Sequence, residues 1–278
     1  MIDGDTLIFA TPGNPVAQVR LPQVMEVVFA ELGVNAVWVP MHVDHEGLRV
    51  VLQALRTMRN FRGITVAIPH KPTVGAMLDR LSLRAQAAGA VNLVRLDPDG
   101  KLYGDIVDGA GFVRGLELCG HSVKGATAWL VGAGGGGSAI AAALGEAGVQ
   151  RLHVTETNAA RAAGLIERLH RYYPKMVADI VTAPPASLDY AINATPWGLE
   201  PDDPLPFEPS LLPAKTVVCD IIMKPKETRL LKAARARGMS VHHGHHMMDT
   251  QVPMYLQFFG IPFPDERSII ERCSRVQR

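Results

Sequence analysis

The stretch Trp129-Leu130-Val131-Gly132-Ala133-Gly134-Gly135-Gly136-Gly137-Ser138 decides the fold. An apolar run over 127–131 reads as a buried strand, and it passes directly into a loop made almost wholly of glycine. Ala139, Ile140, Ala143, Leu144 and Ala147 then recur at helical spacing, so a helix is expected over 138–147. In this strand-turn-helix setting the three glycines of the Gly132-x-Gly134-x-x-Gly137 pattern have separate uses. The first permits a tight turn, the second lets a pyrophosphate approach the backbone, and the third lets helix and strand pack closely, with the anion at the helix N-terminus. Gly132, Ala133, Gly134, Gly135, Gly136 and Gly137 are therefore read as a dinucleotide phosphate loop.

Downstream the same rhythm continues. Strands are expected at 152–155, 177–181, 190–193, 217–222 and 240–242, with helices at 158–172 and 230–237. Six prolines between Pro196 and Pro213 remove ladder donors and mark an ordered surface excursion. Glu156 follows Gly132 by 24 residues, at the end of the second strand. A carboxylate there accepts bonds from both ribose hydroxyls and repels a 2′-phosphate, which favours NAD over NADP.

Upstream, strands at 6–10, 36–39 and 64–68 alternate with helices at 21–32 and 46–58, and this order implies parallel strands. Segments 91–97 and 101–103 flank the turn Pro98-Asp99-Gly100 and are expected to add an antiparallel edge. A helix over 108–118 joins the halves, and a late helix over 247–259 is expected to fold back onto the first of them, with Leu256, Phe258 and Phe259 in its core. The result is an α/β chain in two domains. Residues 1–105, completed by 246–278, form the first, and 106–245 form a Rossmann-type, doubly wound parallel sheet.

Composition narrows the function classes. The 278 residues are 47% hydrophobic and 20% charged, as in globular proteins, and a formal charge of +1 without a basic stripe argues against nucleic acid. Cys119, Cys219 and Cys273 are far apart and include no Cys-x-x-Cys pair, so no disulfide framework or zinc knuckle is expected. The acidic start Met-Ile-Asp-Gly-Asp does not resemble a secretory signal, and no apolar run is long enough for a membrane span. A cytoplasmic monomer or homodimer is expected.

Seven segments now line up in order: Gly13-Asn14-Pro15-Val16-Ala17, Ile68-Pro69-His70-Lys71, Gly89-Ala90-Val91-Asn92, the stretch 104–111 containing Asp108-Gly109, the loop 132–137, Ile192-Asn193-Ala194-Thr195, and 244–251. In order and spacing the chain resembles the shikimate/quinate dehydrogenase family along nearly its whole length. The resemblance implies an N-terminal substrate domain, a C-terminal NAD-binding domain and a cleft between them. It also implies that Lys71 and Asp108 are the pair facing a ring hydroxyl, which must lose its proton as hydride leaves the carbon. Thr65, Asn92 and Gln251 fall at substrate-binding positions. Asn193, Ala194, Thr195, Met223 and Gly244 fall on the nicotinamide side, with Met223 standing where tyrosine is common.

The chain also departs from the pattern. Two serines that hold the substrate carboxylate in the family are replaced by Val19 and Leu21, Asn-Val-Thr has become Thr65-Val66-Ala67, and Asn-Thr before the aspartate has become Ile106-Val107. Each unpaired substrate group costs about 1–3 kcal/mol, so efficient shikimate turnover is not expected, and the substrate is read as another cyclic hydroxy acid. Arg20 is a candidate carboxylate contact, although strand alternation points it away from Val19 and Leu21. His242, His243, His245 and His246 cluster, but without an acid or cysteine among them no metal is expected. Two other functions fit the residues: an NAD-binding regulatory module without turnover, and a proton-abstracting enzyme without hydride transfer.

Overall fold

The computed structural model describes residues 2–17 and 19–276. The chain divides into two compact units, Met1–Ala85 with Ala90–Val107 and Gln251–Arg278, and Gln86–Gly89 with Asp108–Thr250. The elements run β1 (Leu7–Gly13), α1 (Leu21–Leu32), β2 (Ala36–His42), α2 (His45–Thr57), β3 (Phe61–Thr65), β4 (Arg80–Leu81), α3 (Leu83–Ala88), β5 (Leu93–Leu96) and β6 (Leu102–Asp105). They continue with α4 (Asp108–Leu118), β7 (Thr127–Val131), α5 (Gly135–Glu146), β8 (Arg151–Thr155), α6 (Ala159–Tyr172), β9 (Val177–Ile180), β10 (Tyr190–Asn193), β11 (Val217–Asp220), α7 (Arg229–Ala236), β12 (Val241–His242), α8 (His245–Phe258) and α9 (Glu266–Val276).

In the first unit the strand order is β2-β1-β3-β5-β6-β4. The β1, β2 and β3 pairings are parallel and the β3-β5-β6 pairings antiparallel. The expected hairpin is present, but it is not the edge, because β4 pairs parallel to β6 outside it. A strand of two residues has no periodicity by which to recognise it. Nor does the expected strand over 64–68 hold: β3 begins at Phe61 and ends at Thr65. Beyond Thr65 the backbone changes partners, with Val66 N–H donating to Asn92 O (2.7 Å) and Ala67 N–H to Pro12 O (2.9 Å).

The core of this unit gathers Phe9, Met25, Val28, Phe29, Trp38 and Leu93 with Val252, Tyr255, Leu256 and Phe258 of α8 and Ile269 of α9. Helices α8 and α9 therefore contribute to the first unit's core. Gly63 explains a glycine in mid-strand, since a Cβ there would stand 2.2 Å from the Phe259 ring.

In the second unit all pairings are parallel and the order is β12-β11-β10-β7-β8-β9. Counted along this unit, that is the 3-2-1-4-5-6 order of a dinucleotide-binding sheet, whose direction reverses between β7 and β10. One layer of core packs Phe112, Leu116, Leu130, Ile140, Leu144 and Leu165 together. The other packs Trp129, Val131, Ala191, Leu230 and Leu231 with Phe207 and Leu212, which anchor the proline-rich excursion. Helix α5 starts at Gly135, three residues before the expected position, because Gly134 is its N-cap and its carbonyl already accepts from Ser138 N–H (2.8 Å). The late helix likewise starts early, at His245, and it contains Pro253. Among the described residues no helix is long and apolar enough to cross a membrane, and no disulfide joins the three cysteines.

Candidate active site

The carboxyl ends of β7 and β10 meet at the point where the sheet reverses, and the glycine loop lies there. Gly132 has φ +98°, and a Cβ on it would stand 2.8 Å from the Ala194 carbonyl. A Cβ on Gly137 would stand 2.0 Å from Gly132 O, so the loop closes on itself only without side chains at both positions. A Cβ on Gly134 would meet nothing within 4 Å. A loop that is tight at 132 and 137, open at 134 and followed by a helix N-terminus fits a pyrophosphate. At Gly136 a Cβ would touch only the Ile221 side chain, at 3.2 Å.

Glu156 reaches back to this loop. Its Oε2 accepts from Ala133 N–H (2.8 Å) and its Oε1 from Asn158 N–H (2.9 Å), while Arg161 Nη1 lies 3.3 Å from Oε2. Burial alone would raise this carboxyl, but the two backbone donors and Arg161 outweigh it and hold the group below its ordinary range.

On the neighbouring strand Asn193 is fully buried. Its Nδ2 donates to Asp220 Oδ1 (3.1 Å) and Trp197 O (3.1 Å), and its Oδ1 accepts from the Thr195 backbone N–H (3.0 Å) and hydroxyl (2.7 Å). Asp220 also accepts from the Thr228 hydroxyl (2.7 Å) and Ile222 N–H (3.1 Å). Burial, the largest influence, raises the Asp220 carboxyl despite those donors. The Asn193-Ala194-Thr195 turn is thus fixed by a buried network that sequence reasoning missed. Ala194 N–H continues it, donating to Val131 O (2.8 Å). Met223 is exposed. A Cβ on Gly244 would stand 2.5 Å from the Ile221 carbonyl, so this glycine accommodates the chain's own backbone at the exit of β11.

Asp108 opens α4 and is 4% exposed. A helix N-terminus favours a carboxylate. Its neighbour Gly109 packs against α5, where a Cβ would lie 2.0 Å from Ala139 O.

In the first unit Lys71 is half-buried and follows the buried His70. Its carbonyl accepts from Val91 N–H (2.9 Å), and His70 Nε2 lies 2.9 Å from Val43 O, so the Pro-His-Lys turn is pinned at two points. Thr65 and Asn92 are buried and largely engaged by the protein. The Thr65 hydroxyl is 2.7 Å from that of Thr11, which accepts from Trp38 Nε1 (2.8 Å), and Asn92 Oδ1 accepts from Val107 N–H (3.0 Å). Gln251 Oε1 accepts from the Tyr255 hydroxyl.

Leu21 is 5% exposed and Val19 packs against the same core, while Arg20 is exposed at the N-cap of α1. Sequence reasoning also missed Asp105, which holds Arg84 through paired contacts of 2.8 and 2.5 Å and accepts from Ser82 Oγ.

The expectation of no metal rested on the absence of an acid or cysteine beside the histidines in sequence. A cysteine does join the histidines, because the fold brings Cys119, at the end of α4, to His242 and His246.

A family model described as the shikimate dehydrogenase substrate binding domain matches residues 12–94. A shikimate dehydrogenase (NADP(+)) of Rubrobacter xylanophilus is 38% identical over 252 residues, covering 89% of this chain and 88% of the relative. The chain belongs to the shikimate dehydrogenase family.

Solved structures agree. Shikimate 5-dehydrogenase of Listeria monocytogenes, in complex with shikimate and NAD, superposes with TM-score 0.89 at 29% identity, covering 97% of each chain. The 5-ketofructose reductase of Gluconobacter sp. strain CHM43 superposes with TM-score 0.87 at 27% identity, covering 98% of this chain and 99% of the other. This member of the shikimate dehydrogenase family is therefore an α/β dehydrogenase of nicotinamide dinucleotides, with an N-terminal substrate domain and a C-terminal Rossmann domain.

Proposed function

We propose that the protein reversibly oxidises a ring hydroxyl of a cyclic hydroxy acid, with Lys71 and Asp108 handling the hydroxyl proton. The observation that carries this reading is Asp108: an acid 4% exposed at the first turn of a helix, in a chain that keeps the family's lysine as well. A bound nicotinamide supplies the hydride acceptor. The protein's own groups orient the hydroxyl, accept its proton and steady the charge that develops on its oxygen. Val19, Leu21, Ala67, Ile106 and Val107 offer no side-chain hydrogen bonds to a polyhydroxy acid, so a substrate less hydroxylated than shikimate, or with its carboxylate elsewhere, fits better.

Initial rates with a panel of cyclic hydroxy acids test this reading. Lys71→Ala is expected to lower kcat by ~10²–10⁴-fold with the fold intact. Turnover that is independent of Lys71, or cofactor binding with no turnover at all, rejects it.

A second reading is reduction of a sugar ketone without a carboxylate. It is favoured by the apolar Val19 and Leu21, both committed to the core, and by the likeness to 5-ketofructose reductase. Keto sugars in the same panel, tested against carboxylates, discriminate the two.

For the cofactor we propose NAD. Support comes from the Glu156 carboxylate at the end of β8, an anion where a 2′-phosphate would have to lie. The Rubrobacter relative is named for NADP(+), and the Listeria structure holds NAD. A preference for NAD of about tenfold or more in kcat/KM, equivalent to ~1.4 kcal/mol, is expected. A preference for NADP, carried by Arg161, overturns it.

A further inference from the structure

We propose that Cys119, His242 and His246 form a zinc-binding site, a function separate from the dehydrogenase chemistry. One ligand atom from each of the three residues lies within 4.8 Å of the other two. They come from different parts of the second unit, and three features of the backbone bring them together. His242 ends β12. The chain then turns under the backbone of Ile221, where only Gly244 fits, and re-enters a helix at His245, with Met247 N–H donating to Gly244 O (3.1 Å). The turn stacks the His242 and His246 rings, with centroids 5.0 Å apart.

The last turn of α4 approaches across Gly115, where a Cβ would stand 3.0 Å from His246 Cβ and 3.3 Å from His242 Nε2. Cys119 N–H donates to Leu116 O (3.0 Å), and Gly120 at φ +82° turns the chain away, which fixes the position of the cysteine.

A second observation points to a ligand. His242 is 1% exposed, yet its Nε2 is buried with no hydrogen-bond partner. A buried imidazole nitrogen left unpaired is destabilising, and a metal bond removes that penalty. The site also lies at the C-terminal end of α4, where the helix dipole favours a cation.

Two imidazoles and a thiolate form a borderline-soft set that suits Zn²⁺, with a fourth, tetrahedral position left to water. Bond lengths of ~2.0–2.3 Å bring tetrahedral ligand atoms to roughly 3.5 Å from one another, a contraction within reach of side-chain rotation at Cys119. Cys119 is exposed, so the ion reaches the site from solvent. Binding releases the thiol proton to solvent as the Zn–S bond forms. The ion then ties the end of α4 to the start of α8.

The test uses the full-length chain without an affinity tag, titrated with Co²⁺ and then Zn²⁺. One Co²⁺ per chain, with thiolate-to-metal charge-transfer absorption and tetrahedral visible bands displaced by Zn²⁺, is expected. Cys119→Ser is expected to remove the charge-transfer band and weaken Zn²⁺ binding by ~100-fold or more, with His246→Asn weakening it similarly. His243→Ala, outside the ligand set, is expected to leave both unchanged. The proposal is overturned by absence of a charge-transfer band in excess Co²⁺, by a band that survives Cys119→Ser, or by a band lost in His243→Ala.

Discussion

Glu156 shows how one side chain serves both the architecture of the loop and the choice of cofactor. Its two oxygens join the end of β8, the start of α6 and the second residue of the phosphate loop, with contacts of 2.8–2.9 Å to Ala133 and Asn158. Because these contacts lower the folded-state carboxyl below its ordinary value near 4.5, the ionised form stabilises the fold. That contribution is fully present above the unfolded value and is lost as pH falls through the lower folded one. Glu156→Gln is expected to be less stable than the parent by a constant amount above pH ~5, with the gap narrowing as the pH falls further. Urea unfolding at a series of pH values measures this, and a gap that widens in acid contradicts it. The same substitution removes the anion opposed to a 2′-phosphate, so NADP use is expected to rise relative to NAD.

At the scale of elements, the contact of α4 with α5 connects the phosphate loop to Asp108. Gly109 allows that contact, since a Cβ would meet Ala139 O at 2.0 Å, a clash with backbone that no rotamer relieves. Gly109→Ala is expected to cost ~3 kcal/mol in urea unfolding and to lower kcat by displacing the adjacent acid. Unchanged stability would mean that α4 can slide.

The pattern Gly132 to Gly137 and the alternation of strands with amphipathic helices made the second sheet legible from sequence, because period and turn chemistry are local properties. Helices α1 and α4 and strands β7 and β10 have the bounds expected from their residues. Of the elements that escaped, β4 and α3 are too short to show a period. Among candidate site residues the limit was different. An amide or hydroxyl such as Thr65, Asn92, Asn193 or Gln251 reads the same in sequence whether it bonds a ligand or its own chain, and here each bonds its own chain. Cys119 escaped for a third reason: more than a hundred residues separate it from His242, and only the tertiary fold brings them together.

For the whole molecule, the first unit is discontinuous in sequence, and the segment that completes it comes last. Residues after Thr250 supply Val252, Tyr255, Leu256, Phe258 and Ile269 to the core that surrounds Phe9 and Trp38. Trp38 lies 6.5 Å from the Tyr255 ring and 5.7 Å from the Phe259 ring. Burying each such side chain contributes ~1.5–3 kcal/mol, so their joint loss approaches or exceeds the ~5–15 kcal/mol by which a protein of this kind is stable. A chain ending at Thr250 is therefore expected to lose the first unit's packed structure. The second unit's sheet ends at β12 and draws its core from residues before 251, so it keeps its own packing. Hydrogen exchange resolves the two: amides of β1, β2 and β3 are expected to lose protection in the truncated chain while those of β7, β8 and β10 retain it. Protection of β1 and Trp38 at parental levels would mean that the final helices cover the first sheet without stabilising it. Loss of protection in both sheets would mean that the second cannot fold while the first is unfolded.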